Sequence, residues 1–599
     1  MPVTPKLCRD GKEEKHMFTC EYLLTGKEMT EADSNTSRVL GIPSLVLMER
    51  AALGVAERIR RDYDEYPGTV RAAVVAGKGN NGADALAAGR LLLDAGYEVA
   101  FFLTFARERI GTKPAGEEKQ APSSLETQLQ ILDAYKAEIK QLPKDFASLQ
   151  ELRPQVILDG IFGTGLSREI TETTADAVRC INELRSGRAH EKGDAARVYA
   201  VDLPSGISAD TGKVLGTAVK ADVTITFSFY KKGQFLYPGC EHCGELVRFP
   251  IGITDRSLSE MPQTFTYRWE ENAGEWSKNR RKVSLLPARK PNGNKGTFGK
   301  VLVIAGSKGV SGACILCART ALRAGAGMVR VFTHESNRII VQEMVPEAMC
   351  DTYENEKESS DRIAERLEKA LLWADVVVAG PGMGVTAAGA ALLQQALTWG
   401  ARERERSDER SRAKTGTWAD GRRGLVLDAD ALRLIARNRW YERLREAGEE
   451  SVVILTPHPG EAAALLDITV SELKENVEEA FTAFAASHHC TVIAKDARTR
   501  VISHESRQIY LNTTGNDGLA TAGSGDVLAG LTGGLLAQRI KEPREQGETE
   551  GFWTACAAVC LHGRLAELCC VKQGTGSVIA TDLIQVIPTL YRKIQYEQM

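Results

Sequence analysis

An α/β fold built as two sheet-centred domains is predicted by three features of this chain. Short apolar runs rich in Val, Ile and Leu alternate with helix-length stretches in two separate series, glycine-rich loops follow several of those runs, and 599 residues exceed what one core accommodates. The runs are apolar throughout rather than alternating, which fits strands buried on both faces of a helix-covered parallel sheet.

The first series opens with a strand at 70–76, a helix over 84–95 and a strand over 97–105, and continues at 156–158, 198–201 and 223–227. The second starts at 300–305 and continues at 376–379, 425–427, 452–455 and 491–494. Between them the polar, less periodic stretch 255–280 reads as a linker, dividing a first domain over 17–254 from a second over 281–599. Residues 1–16 are charged, lack an apolar signal-peptide core and read as a disordered extension. Residues 402–423 are dense in Arg, Glu and Asp and read as a solvated insertion loop, with 111–124 similar in character. No internal repeat is visible.

A hydrophobic content of 43%, a charged content of 26% and a formal net charge of -3 are those of a globular protein with no overall polyanion-binding surface, so no nucleic-acid partner is expected. Thirteen cysteines lack framework spacing, and Cys240 and Cys243 have no second pair at zinc-ribbon distance. Free thiols point to a reducing cytosol and a cytoplasmic protein. No run approaches the ~20 consecutive apolar residues of a membrane span.

The most informative stretch is Asn512-Thr513-Thr514-Gly515-Asn516-Asp517-Gly518-Leu519-Ala520-Thr521-Ala522-Gly523-Ser524-Gly525-Asp526, followed at once by the apolar helical run 527–531. Glycines let backbone N–H groups face an anion, and a helix N-terminus favours negative charge. Asp526 would repel a phosphate, but its place is apt for taking a proton from a hydroxyl beside that phosphate. Alternatively, Asp526 is an N-cap in a tight loop.

In the first half, Gly77-Lys78-Gly79-Asn80-Asn81-Gly82-Ala83-Asp84 follows a strand and opens a helix with G-x-G-x-x-G spacing. The acidic ribose partner expected after the next strand is replaced by Phe105-Ala106-Arg107, so an ordinary dinucleotide site is disfavoured. Two more loops, at 159–166 and 202–207, also follow strands and would bring Asn81, Asp159, Asp202 and Ser205 to the carboxyl edge of the sheet. One carboxylate with neutral oxygens suits a monovalent cation, leaving a second carboxylate for proton transfer. Alternatively, both Asp residues only satisfy loop N–H groups.

The motifs at 77–84, 159–166, 201–212 and 221–233 resemble the N-terminal domain of the bifunctional NAD(P)H-hydrate repair enzymes. The second half resembles the matching dehydratase: 294–299, 306–313, 324–327, Pro346-Glu347, 380–384, 428–432, 456–461, the glycine loop with Asp526, His562-Gly563 and 581–583 occur in order, and the resemblance covers roughly residues 20–595. It implies a Rossmann-like epimerase followed by a ribokinase-like dehydratase. Such enzymes repair NADH or NADPH hydrated at C6 of the nicotinamide ring: one domain interconverts the R and S epimers, and the other dehydrates the S form using ADP or ATP with Mg2+. Carried over by position, Asn80, Asn81, Gly82, Ala83, Asp84, Gly163, Thr164, Gly165, Leu166, Ser167 and Arg168 would hold the hydrate in the first domain. Asn81, Asp159 and Ser205 would bind K+, and Asp202 would contact the ring and transfer a proton. In the second, Ala313, Gly384 and His458 would line the hydrate site with the catalytic base Asp526, while Lys495, Asp496, Ala497, Arg498, Thr499 and Gly525 would bind the nucleotide. The expected partners are these small molecules and other copies of the chain in a homo-oligomer. The chain departs from the family pattern at Ala83 and Ala85, whose methyls are expected to crowd a backbone–ligand contact, and at Asp496, which adds negative charge beside a phosphate. Two other readings compete: a ribokinase-type small-molecule kinase, and a non-catalytic binding module in the first half.

Overall fold

The computed structural model describes residues 18–107, 123–187, 195–269, 282–354, 358–402, 423–542 and 550–596. The extension 1–16 and almost all of the charged stretch 402–423 lie outside them. The chain divides into two compact units, Glu21–Thr264 and a larger one that combines Phe265–Met599 with the residues up to Cys20.

The smaller unit carries a parallel seven-stranded sheet in the order Ile139–Gln141, Glu98–Leu103, Arg71–Ala76, Val156–Gly160, Arg197–Val201, Val223–Phe227, Glu245–Phe249. Successive residues point to opposite faces, so Ala72 and Val74 enter one core with Leu86, Phe101 and Tyr199, while Ala73 and Val75 enter another with Phe102, Ile157 and Val198. Strand order reverses between Arg71–Ala76 and Val156–Gly160, and a crevice at the carboxyl ends follows from that topology. The helix after the first strand spans Asn80–Asp94, starting earlier than the expected 84. Its first turn folds back on the preceding loop so closely that a Cβ on Gly82 would lie 1.9 Å from the Gly77 carbonyl oxygen, an approach only glycine permits.

The larger unit has a sheet in the order Met349–Tyr353, Met328–His334, Lys300–Ile304, Val376–Ala379, Gly424–Leu427, Val452–Leu455, Cys490–Ala494, Arg500–Ser503, Ser506–Leu511, Thr264–Trp269, Phe18–Leu24, Lys282–Val283. The strands from Met349–Tyr353 to Cys490–Ala494 are parallel, and an antiparallel hairpin follows. Order reverses here between Lys300–Ile304 and Val376–Ala379. The stretch expected to be a linker therefore contributes a strand. Phe265 and Tyr267 are buried and pack their rings on Tyr510 and Trp553, a long-range pairing that the polar composition around them conceals. Residues 18–20, expected in the first domain, likewise belong to this unit: Phe18 pairs with Val283 and meets Trp269 edge-on at 4.8 Å. Helix Glu550–Gln573 is long and apolar enough by composition to cross a membrane, but most of it is buried, packed on helices Ser524–Arg539 and Ala580–Tyr596 as a core element.

Candidate active sites

In the smaller unit Asp159 is the penultimate residue of the central strand Val156–Gly160 and is fully buried. Its Oδ1 accepts from the Ser205 hydroxyl at 2.6 Å and the Ile161 amide at 3.3 Å, and Oδ2 accepts from the Ser205 amide at 2.8 Å. Burial pushes its carboxyl up to about 6, against the pull of those neutral donors. The Asn81 amide donates to the Phe162 carbonyl at 2.9 Å and lies over Gly163. The Phe162 amide in turn donates to the Ser205 hydroxyl at 2.8 Å. Asn81, Asp159 and Ser205 thus meet around one oxygen-rich loop, with Gly163 and Thr164 at its edge and Gly165, Ser167 and Arg168 exposed beyond it.

Asp202, expected in the same group, instead forms its own. It adopts a left-handed backbone (φ 64) and pairs with the fully buried Lys231. Its Oδ1 also accepts from the Phe227 amide at 3.1 Å and the Thr226 hydroxyl at 3.2 Å, and its carbonyl accepts from Gln234 at 2.8 Å. Asp84 lies near this pair. Its carboxyl is raised well above the usual range by burial, then by the charges of Asp202 and Asp33, with Lys231 opposing.

In the larger unit the loops at the switch point interlock: the Gly306 amide donates to Pro381 O at 3.0 Å and the Ser307 amide to Gly382 O at 2.6 Å. Ala313 packs against Gly382, and the Gly384 amide donates to Asp430 Oδ2 at 2.8 Å. Arg433 sits 3.8 Å from Asp430 and 3.9 Å from Glu461. Glu461 bonds the His458 ring at 3.1 Å, while His458 Nδ1 caps its own helix by accepting from Gly460. Gly384 and His458 are thereby joined through charged groups far apart in sequence.

Asp526 stands in the first turn of helix Ser524–Arg539. Burial and then Asp428 push its carboxyl up to about 7, Lys495 pulls it down, and Asp430 adds a smaller upward push. Lys495 Nζ donates to Asp428 Oδ1 at 2.8 Å, and Thr456 donates to the same oxygen at 2.6 Å. A Cβ on Gly525 would lie 3.4 Å from Lys495 Nζ and 3.9 Å from Asp428 Oδ2, so the glycine turn faces this ion pair.

Residues 301–589 match the profile of NAD(P)H-hydrate dehydratase, and residues 44–233 match that of the YjeF-related protein N-terminus. The bifunctional NAD(P)H-hydrate repair enzyme of Moorella thermoacetica is 32% identical over 582 residues, 96% of this chain and 98% of that protein. The chain belongs to the bifunctional NAD(P)H-hydrate repair enzymes. The enzyme of that name from Coxiella burnetii is 31% identical over 91% of this chain and 94% of its own. The crystal structure of an ADP/ATP-dependent NAD(P)H-hydrate dehydratase from Bacillus subtilis, co-crystallised with ATP/Mg2+, matches 52% of this chain and 94% of that chain at 24% identity, with a TM-score of 0.39.

Against the pattern of the NAD(P)H-hydrate repair enzymes, the methyls of Ala83 and Ala85 were expected to crowd a ligand. Both are fully buried in the sheet–helix core, Ala85 against Gly160, so they face away from the crevice. Asp496 accepts from the Ala497 amide at 2.8 Å inside the turn 495–499, which joins strands Cys490–Ala494 and Arg500–Ser503. Lys231, Asp33, Asp428 and Glu461 escape the sequence reading as site residues. Asp428 and Glu461 lie inside quoted motifs and were legible as carboxylates after strands. Lys231 also lies inside the quoted stretch 221–233, but nothing local marks it as buried, because a lysine after a strand is ordinarily solvated and only the fold encloses it.

Proposed function

We propose that this chain repairs hydrated NADH and NADPH in two steps. The smaller unit interconverts the R and S epimers at C6. The larger unit dehydrates the S epimer with ADP or ATP, yielding NAD(P)H, phosphate, and AMP or ADP. The observation that carries the reading is Asp526: a carboxylate held near 7 at the mouth of a glycine helix, beside the Lys495–Asp428 pair.

A base of that strength is matched to a hydroxyl at neutral pH. Asp526 takes the C6 hydroxyl proton, and the oxygen attacks the terminal phosphorus while the bridging P–O bond breaks and AMP or ADP departs. The amides of the helix's first turn lack intrahelical acceptors and meet the charge spreading over the phosphoryl oxygens. Lys495 serves the same charge. The ring nitrogen's lone pair then expels phosphate from C6, and loss of a C5 proton restores the double bond. His458 and Gly384, tied through Asp430, Arg433 and Glu461, shape the hydrate side of this site. Mg2+, brought by the nucleotide, would supply positive charge to the phosphates from its own phosphate and water shell. Among the described residues no group of three or more His, Cys, Asp or Glu is placed to hold a metal ion.

In the smaller unit Asn81, Asp159 and Ser205 offer a K+ site. The fit rests on Asp159, a fully buried carboxylate whose hydrogen-bond partners are all neutral. Potassium would supply the missing positive charge and brace the loop 160–166 that borders the hydrate.

The test is return of reduced-nicotinamide absorbance when the purified chain is added to mixed R and S NADH hydrate with Mg2+, K+ and ADP or ATP. Recovery of the whole mixture faster than spontaneous epimerisation is the expected result. Recovery that stops at the S fraction would remove the epimerase, and a stable phosphorylated product would leave a small-molecule kinase.

A further inference from the structure

In the larger unit two carboxylates leave one short turn toward different partners. Asp428 follows strand Gly424–Leu427 and Asp430 opens helix Asp430–Asn438, with Ala429 between them at φ 48 and ψ -117. A positive φ is costly for a residue with a Cβ and persists only where the surroundings impose it. Asp428 turns to Lys495 Nζ at 2.8 Å and Thr456 Oγ1 at 2.6 Å, beside Gly525. Asp430 turns to the Gly384 amide at 2.8 Å. The turn thus links the helix mouth that carries Asp526 to the loop 380–384.

Arg433 lies nearly one helical turn beyond Asp430. Its guanidinium is 3.8 Å from Asp430 Oδ1 and 3.9 Å from Glu461 Oε1, both longer than a hydrogen bond. A counterion locked onto those carboxylates would approach to about 2.7–2.9 Å. Glu461 is instead occupied by His458, whose ring Nε2 lies at 3.1 Å and whose amide donates at 3.0 Å, and its side chain is 3% exposed against 56% for Arg433. Arg433 therefore stands beside the groups that hold Gly384 and His458 with its N–H donors uncommitted. The carboxylates of this row, Asp428, Asp430, Glu461 and Asp526, outnumber Lys495 and Arg433, and Lys495 is already bonded to Asp428.

We propose that Arg433 is a phosphate contact of the hydrate site: its guanidinium binds a phosphate of the dinucleotide whose hydrated ring reaches Asp526. The inference rests on the dehydratase reading of the larger unit. The hydrate is an anion, and with C6 at Asp526 its phosphates trail toward solvent, the side on which Arg433 is exposed. There the excess of carboxylates repels it unless a cation turns to meet it. The planar guanidinium pairs with two phosphate oxygens at once, and swinging it away from two exposed contacts near 4 Å costs little. Two phosphate groups qualify: the pyrophosphate common to both hydrates, and the 2′-phosphate carried by NADPH hydrate alone.

The test measures initial dehydration rates of S NADH hydrate and S NADPH hydrate by the full-length chain and by Arg433→Gln, with Mg2+ and saturating ADP or ATP, whichever the wild type uses. In the variant the KM for hydrate should rise roughly 10- to 100-fold, the loss of a charge-assisted contact, with kcat changed less than about twofold. The KM for the nucleotide, measured at saturating hydrate, should stay within about twofold. A rise of equal size for both hydrates supports the pyrophosphate, and one confined to NADPH hydrate supports the 2′-phosphate. Arg433→Lys, which keeps the charge but not the fork, should recover part of the loss. Raising ionic strength with choline chloride should lift the wild-type KM more than that of Arg433→Gln. An unchanged KM for both hydrates overturns the proposal. So does a fall in kcat alone, which would make Arg433 a brace for Asp430 and Glu461, or a rise in the KM of the nucleotide instead. A wild type that dehydrates neither hydrate removes the dehydratase reading and this contact with it, whereas an active wild type with an unmoved KM in Arg433→Gln removes the contact alone.

Discussion

Asp526 answers to three charged neighbours at once, and they pull in opposite directions. Burial and Asp428 hold its proton, while Lys495 releases it. Dehydration needs the ionised base, so the rate on S hydrate should rise with pH through a midpoint near 7. Asp428→Asn removes a charge that raises the midpoint and also frees Lys495, so the acid limb should move down. Lys495→Met should move it up. A kcat–pH profile with the midpoint unmoved in both variants would contradict the assignment of Asp526. Asp159 gives a second prediction at this scale. Its carboxyl is raised from the usual 3.8 to about 6, so its ionised form costs stability above that range, and the cost fades as pH falls from about 6 to 4. Two units correspond to on the order of 3 kcal/mol. Potassium opposite the carboxylate should offset part of this. The Tm difference between KCl and choline chloride at equal ionic strength should be positive at pH well above 6 and shrink below it; a difference independent of pH would exclude Asp159 from the ion site.

At the scale of elements, helix Ser524–Arg539 shows how glycine decides packing. Residues 527–538 are buried, and the helix lies against Gly312–Arg323. A Cβ on Gly530 would sit 2.3 Å from the Cys317 carbonyl oxygen, an atom of a neighbouring helix backbone that cannot swing aside. Alanine is the better helix former by about 1 kcal/mol. Overpacking costs typically 1–3 kcal/mol and wins here. Gly530→Ala should therefore lower the urea midpoint of the larger unit and, by shifting the helix mouth, the dehydration rate. A variant more stable than wild type would mean that the two helices move apart freely. The strand–loop–helix repeats around these glycines were legible because buried parallel strands are short apolar runs and their loops need small residues. The strand Thr264–Trp269 was not, since its two-residue alternation is too brief to stand out and its partners are more than two hundred residues away. Register set by long-range pairing leaves little local trace.

For the whole molecule, the reading divides one repair into two chemistries carried by different units, and single substitutions should separate them. The glycine loops at both sheet reversals announce where each site lies, because ligands collect where strand order turns. Burial completes the chemistry, and it is set by the fold: Lys231 and Asp428 become charge partners only when strands from distant parts of the chain meet. Asp526→Asn should lower S-hydrate dehydration by roughly 10²- to 10⁴-fold while R and S continue to interconvert. Asp202→Asn should dehydrate pure S hydrate at the wild-type rate and stall on a mixture when the S fraction is spent, resuming only as fast as R converts spontaneously. Mixing equal amounts of the two variants should then restore recovery of the whole mixture, because the epimer made by one chain is a diffusible substrate for the other. Following reduced-nicotinamide absorbance to completion distinguishes the outcomes. A mixture no better than Asp202→Asn alone would mean that the hydrate does not leave one chain before the next step. Full recovery by Asp202→Asn alone would mean that the smaller unit epimerises without that carboxylate.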